Sequence, residues 1–178
     1  MRSLMFCIST ALIGLTAQSA LGAEVFVMQI PGMTGDVTVL NYVGSISVSS
    51  FSAGFSNPAA DGPGGVVAGK PTCQPIQVVK PLDGTSPKMS AAAFSGTPYP
   101  TVTLIGLTQS PSATYYYPFL TFTLSNVVVS SLNFAGAQAE SLTLVYGQIT
   151  VSYYAQSPTG AIALVGRTNV NCITGTVN

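Results

Sequence analysis

Val78 to Gly96 reads V-V-K-P-L-D-G-T-S-P-K-M-S-A-A-A-F-S-G, and its grammar changes halfway. The first residues end a strand predicted over Gln74 to Lys80, which Pro81 closes because proline offers no N–H to a ladder. Asp83-Gly84 is a turn pair. Ser86 is placed to cap a helix, with Pro87 at the first helical position, where a missing N–H costs nothing. Gly96 suits the left-handed stop. Between them Met89, Ala92 and Ala93 fall at i, i+3 and i+4, a narrow apolar stripe that needs a sheet to pack on. Met89 occupies the third helical position, so there is no capping box.

Outward from this helix the chain is written in β code. Upstream, Glu24 to Ile30 reads as a strand ended by Pro31-Gly32, and Gly35-Asp36 turns into a second segment, Val37 to Tyr42. In Ser45 to Ser56, Ile46 and Val48 share one parity and Phe51, Ala53 and Phe55 are of the other. The slip at Ser49-Ser50 predicts a bulge or a bend between sheets. Asn57 to Thr72 is rich in Pro, Gly and Ala without periodicity and reads as a long loop, of a length usually functional or mobile. Downstream, strands are predicted at Thr101 to Thr108, Tyr115 to Leu124, Val127 to Phe134, Glu140 to Tyr154, Ile162 to Val165 and Asn169 to Thr174. A parity change at Gly147-Gln148 predicts a second bulge. Many short strands, corners and one helix give an all-β fold, a compact β-barrel or sandwich, in a single domain.

The composition narrows the class. The chain of 178 residues is 47% hydrophobic but only 6% charged, against roughly 25% charged in an ordinary domain. Residues 1–23 have the form of a signal peptide: Arg2, an apolar run from Leu4 to Leu15, then small residues up to Ala23 before Glu24. Cleavage after Ala23 or after Gly22 fits, and the apolar run is too short to span a bilayer well. Residues 24–178 then form the mature domain, with four basic residues (Lys70, Lys80, Lys88, Arg167) and five acidic (Glu24, Asp36, Asp61, Asp83, Glu140). Without a basic stripe, nucleic acid and anionic membrane are poor partners. An exterior carried by Ser, Thr, Asn and Gln repels copies of itself weakly, which points to assembly or to an extracellular life. Export also implies an oxidising compartment, so Cys73 and Cys172 are expected to form a disulfide, the alternative being two buried thiols.

Reactive chemistry is sparse. With no histidine, serine-hydrolase triads and imidazole acid–base catalysis are excluded, and two thiols make no metal site. Gly62-Pro63-Gly64-Gly65 lacks the Gly-Lys-Ser/Thr ending of a phosphate loop. The carboxylates are scattered through turns and loops, so a glycosidase-type pair is not favoured. Neither an enzyme nor a cofactor is expected. Tyr115-Tyr116-Tyr117 suggests a glycan platform, yet tyrosine is also an ordinary half-buried strand residue, the favoured reading. Lys80 and Lys88 read as solvated charges at the turn and helix start, the alternative being an intersubunit contact.

Three stretches together resemble a family. G-S-I-S-V-S-S-F-S-A-G-F-S at 44–56, V-K-P-L-D-G-T-S-P-K at 79–88 and E-S-L-T-L-V-Y-G-Q-I-T-V-S-Y-Y-A-Q at 140–156 are similar to the haemolysin-coregulated proteins, the Hcp tube subunits of type VI secretion systems. Val127-Val128-Val129-Ser130-Ser131 resembles the family strand before a variable loop, here Asn133 to Ala139. The resemblance implies a barrel of two packed sheets with one helix, a hexameric ring that stacks into a tube, and small effectors in the lumen. It implies a ring-contact role for the loop containing Asn57, Pro58, Asp61, Gly62, Gly64, Gly65 and Lys70. It marks Lys80, Pro81, Asp83, Ser86, Pro87 and Lys88 as the turn-and-cap motif. The signal peptide departs from the family pattern. The chain is therefore expected to be a non-catalytic assembly protein, exported to the periplasm or beyond, with copies of itself, other secretion components or small effectors as partners. The alternative is an exported monomeric module that binds a glycan or a protein.

Overall fold

The computed structural model describes residues 24–62, 64–109, 115–136, 138–157 and 159–178. The signal-peptide reading of residues 1–23 lies outside them.

Strand pairing closes a barrel. β1 (Glu24–Gln29) lies between β9 (Pro98–Gln109) and β2 (Ile46–Val48), with Phe26 opposite Gly106 on one side and Val48 on the other. At Ser49 the chain bends, its N–H bonded to the Val79 carbonyl, and continues as β3 (Ser50–Ser52). β3 pairs with β8 (Ile76–Pro81), β8 with β11 (Ala139–Gln156), β11 with β10 (Tyr116–Ala135), and β10 with β9. Every junction is antiparallel, so β2 and β3 serve as one strand shared between two sheet faces. The parity slip at Ser49-Ser50 was the sequence sign of this bend.

The interior fills from the inward parity of each strand: Met28, Ile46, Ile76, Val78, Leu104, Leu124, Leu142 and Leu144 are buried in one cluster. Across one side of it run edge-to-face aromatic pairs, Phe119 with Phe26, Phe26 with Phe51, and Phe51 with Phe122, at centroid distances of 6.2, 5.4 and 5.4 Å. Gly106 makes room for the first pair, since a β-carbon there would stand 2.7 Å from the Phe119 ring. Phe119 is itself the extra residue of a bulge between Pro118 and Leu120.

Helix α1 (Ser86–Ser95) lies against β10 and buries Met89 and Ala92, with Ala93 packed beside them. Gly96 ends it at φ 65°, the conformation that glycine adopts without a Cβ penalty. The start differs from expectation. The cap is Thr85, which makes no side-chain cap bond, and Pro87 is the second helical residue rather than the first. The Ser86 hydroxyl is engaged elsewhere.

Several predicted elements are corrected. Val37 to Tyr42 is a looped segment, not a strand. Val37, Val39 and Tyr42 cover the outer face of β1 and β9 over Val27, Ile105 and Leu107. Alternating apolar residues served a lid rather than a ladder. Tyr115 to Leu124 and Val127 to Phe134 fuse into β10, because Asn126 holds φ 54° opposite Gly147 and bends the strand without ending it. No bulge occurs at Gly147-Gln148. The inward parity changes there by bending, while β11 exchanges its second neighbour from β8 to β12 (Ile162–Asn171). The two C-terminal strands are likewise one, β12, followed by β13 (Thr176–Val177). Of the variable loop Asn133 to Ala139, residues 133–135 pair within the β10–β11 hairpin, Ala135 opposite Ala139.

The predicted loop over Asn57 to Thr72 is mostly a β-arm. β4 (Phe55–Ser56) pairs with β7 (Thr72–Cys73), and β5 (Ala59–Gly62) with β6 (Gly65–Ala68). Neither pair is bonded to the main sheet. The hairpin tip needs glycine: Gly65 has φ 119°.

Candidate assembly surface and the ion cluster behind it

Behind the helix start lies a buried ion cluster. Register places Glu140 of β11 opposite Lys80 of β8. Both side chains are fully buried, and the Asp83 side chain is 5% exposed. The Lys80 ammonium donates to Glu140 Oε1 at 2.5 Å, to Asp83 Oδ1 at 3.0 Å and to the Pro81 carbonyl at 2.9 Å. Ser86 Oγ donates to Glu140 Oε1 at 3.1 Å and accepts from the Asp83 N–H at 3.1 Å. Thr85 donates to Asp83 Oδ1 through its N–H and its hydroxyl. Strand, turn and helix start are thereby fastened at one point.

Burial acts to raise the Asp83 pKa, but the hydrogen bonds from the Thr85 hydroxyl, Lys80 and the Thr85 N–H, with the charge of Lys80, hold it below the usual carboxylate range. The reading of Lys80 as a solvated charge is corrected. Glu140 draws it inside, since a buried ammonium needs a paired anion. Lys88 does remain exposed at the first helical turn, donating to the Gly32 carbonyl at 3.3 Å. The signal for the cluster was present: Lys80 shares the parity of Ile76 and Val78, and Glu140 that of Leu142 and Leu144, all buried.

The arm is the opposite kind of surface. Asn57, Pro58, Asp61, Gly64, Gly65 and Lys70 are exposed and Gly62 partly so. The arm has its own ladder, extended by Gly69 N–H to the Pro58 carbonyl and by the Ser56 and Thr72 hydroxyls at 2.7 Å. Phe55, Val66 and Val67 are 50%, 75% and 58% exposed.

At the arm's stalk Cys73 is disulfide-bonded to Cys172, with Cα atoms 5.5 Å apart and a sequence separation of 99. Cys172 is anchored in turn by its N–H to the Gly147 carbonyl. An apolar cleft of about 120 Å³ lies beside the bridge, lined by Phe55, Pro71, Val170 and Val177 among others. A second exposed apolar patch brings Phe94 of α1 near Phe134 of β10.

The tyrosine run at 115–117 is half-buried at the start of β10, while Tyr153 of β11 is 50% exposed. Tyr116 packs under the Val37 lid, and Tyr146 donates its hydroxyl to the Gln74 carbonyl at 3.0 Å. Burial raises the pKa of Tyr146. Tyr115 and Tyr117 are both half-buried, beside that strand start. Among the described residues no helix is long and apolar enough to cross a membrane.

The chain matches the family model described as type VI secretion system effector, Hcp, over residues 27–153. A solved type six secretion system protein superposes with a TM-score of 0.79 at 25% identity, covering 88% of this chain and all of that one. The Hcp1 protein from the E. coli EAEC 042 pathovar gives 0.64 at 21% identity, covering 82% of this chain and 97% of its own. Hcp1 from Salmonella typhimurium gives 0.66 at 15%, covering 88% and 99%. No curated protein matches the chain.

Proposed function

The chain belongs to the Hcp family of type VI secretion proteins, and from that premise we propose that it is an exported, non-catalytic ring subunit. Copies close head-to-tail into a hexamer, and the rings stack into a tube whose lumen holds small effector proteins. A heterologous contact of this kind joins two different patches on neighbouring copies and closes when the rotation permits. The arm, with Asn57, Pro58, Asp61, Gly62, Gly64, Gly65 and Lys70, supplies one of those patches. Residues 1–23 direct export and are removed between Ala23 and Glu24.

The observation that carries this reading is the arm itself. It is ordered by pairing only with itself, stands off the barrel, and exposes Phe55, Val66 and Val67. A monomer gains nothing by folding apolar side chains into a hairpin aimed at water, whereas a neighbour that covers them stabilises the assembly. Light scattering after size exclusion, with negative-stain microscopy, tests it on protein recovered from the periplasm. Rings of hexamer mass are expected. Replacing residues 57–70 with a short Gly-Ser turn is expected to abolish rings while leaving the barrel's melting transition in place. Wild-type protein that stays monomeric at high concentration refutes the reading.

A further inference from the structure

We infer that the Cys73–Cys172 disulfide is the switch that makes this chain competent to assemble, by fixing the direction in which the arm projects. The inference rests on the ring reading above and adds the regulation of that surface.

The arm has few ties to the body. Its two ladders, β4 with β7 and β5 with β6, are separate from the main sheet. From Phe55 to Lys70, the side chains described are exposed or, at Gly62, partly exposed. What holds the arm is concentrated at the stalk. Gln74 N–H bonds to the Gly54 carbonyl, Tyr146 bonds to the Gln74 carbonyl, and Pro71 packs against Gly175, where an added β-carbon would stand 3.2 Å from its ring. The covalent tie among these is the disulfide, and it sits in the last residue of β7, opposite Phe55 of β4.

The far end of the bridge is rigid. Cys172 follows β12 and is held by Gly147, at the corner where β11 changes neighbours. Beyond it Asn171 Oδ1 accepts from the N–H groups of Ile173 and Thr174, and Asn178 pairs back to Asn169. The bridge therefore transfers the orientation of a well-braced corner to a stalk only two residue pairs wide.

Reduction cuts that transfer without touching the barrel. The fully buried side chains lie in strands and a helix whose ladders form without the bridge, and Cys73 and Cys172 pack only partly buried at their margin. A two-pair stalk alone is marginal in water. The reduced arm would sample many directions, and a ring contact would then have to select one, which weakens association through ordering cost alone. A chain kept reduced in the cytoplasm is thus held as a subunit with a loose arm, and becomes a ring former once oxidised.

The chemistry is a two-electron exchange. A trialkylphosphine with one water takes the S–S bond to two thiols and leaves as its oxide. Oxidised glutathione, as disulfide donor, restores the bond by thiol–disulfide exchange and departs as two glutathione thiols.

The test compares oxidised, phosphine-reduced and glutathione-reoxidised wild-type protein, with a Cys73→Ala/Cys172→Ala variant, by light scattering and by hydrogen exchange. Far-UV circular dichroism checks that each sample is folded. Oxidised and reoxidised protein are expected to form rings. Reduced and variant protein are expected to need about tenfold or more higher concentration for the same ring fraction, with faster exchange confined to residues 55–73. Folded reduced protein that forms rings as readily as oxidised protein overturns the switch and leaves the ring reading standing. Oxidised protein that never leaves the monomer overturns both. Unchanged exchange in the arm on reduction also overturns the switch.

Discussion

Replacing Lys80 with Met removes the cation from the buried cluster and keeps most of the side chain's volume. Glu140 and Asp83 are then left as two carboxylates around one vacated position, and Glu140 Oε2 and Asp83 Oδ2 already lack a hydrogen-bond partner among the described residues. Removing one member of a buried ion pair costs about 3–5 kcal/mol at neutral pH. For a domain of this size that lowers Tm by roughly 6–20 °C, at about 2–4 °C per kcal/mol.

The pH dependence carries the sharper test. In the wild type the Asp83 pKa is depressed, so its contribution is fully present above the unfolded pKa of about 3.9 and is lost only as pH falls through the lower folded value. This group gives wild-type stability no slope between about pH 5 and pH 7. In the variant, two carboxylates without a cation repel, and one of them takes a raised pKa. The folded variant then holds a proton that the unfolded chain has released, so its stability falls as pH rises above about 4.3 and recovers on acidification. Thermal and urea unfolding at pH 7 and pH 5, at fixed protein concentration, should show the deficit narrowing towards acid. Adding Glu140→Gln to Lys80→Met should recover part of the loss, because one of the two unpaired carboxylates is then removed while Asp83 remains. A Lys80→Met cost below about 1 kcal/mol, or a deficit that does not change with pH, refutes the account of a dry cluster.

Other sites give simpler outcomes. Met89→Ala empties the helix–barrel contact and should cost about 2–5 kcal/mol by urea titration, with the circular dichroism of the strands retained. Gly35→Ala should destabilise by about 1–3 kcal/mol, since its β-carbon would stand 2.5 Å from the Ser45 carbonyl oxygen and 2.7 Å from the Ile46 Cα, neither able to swing aside. Ring assembly should be nearly insensitive to sodium chloride between about 0.1 M and 1 M, because few ions remain outside to be screened. A change above about tenfold in the concentration at half-assembly would show that charge pairs hold the interface.

What could be read from the chain followed the strength of local rules. Gly96 was legible because a helix stop in the left-handed region strongly favours glycine, and the Ser49 bend because one odd step moves every later side chain to the other face. The helix start was misread by one residue, since the Ser86 hydroxyl that would cap a free helix is claimed by Glu140, 54 positions away. Val37 and Val39 alternate as a strand would, but only tertiary contact tells a ladder from a lid. In the arm, Gly and Pro hid a hairpin whose side chains bury nothing, so no apolar periodicity announced it. The cluster was missed for a different reason. Residue type said solvent for Lys80 while its parity with Ile76 and Val78 said core, and parity was the better guide.

The distribution of charge explains how such a chain suits association. Of nine ionic side chains in residues 24–178, Lys80, Asp83 and Glu140 are spent inside, fastening the helix to the barrel. The exterior keeps Glu24, Asp36 and Asp61 against Lys70, Lys88 and Arg167, and the Arg167 Nε is already bonded to Ser152. A wall this short of ions neither steers partners from afar nor pushes copies apart, so shape and apolar contact are left to decide what docks. Such a surface is prone to indiscriminate sticking unless its apolar groups are confined and aimed. The arm gathers Phe55, Val66 and Val67 on one projection, and Phe94 with Phe134 forms a separate exposed apolar patch. On the ring reading proposed above, specificity resides in where the arm points, and whatever sets its direction controls whether copies meet productively.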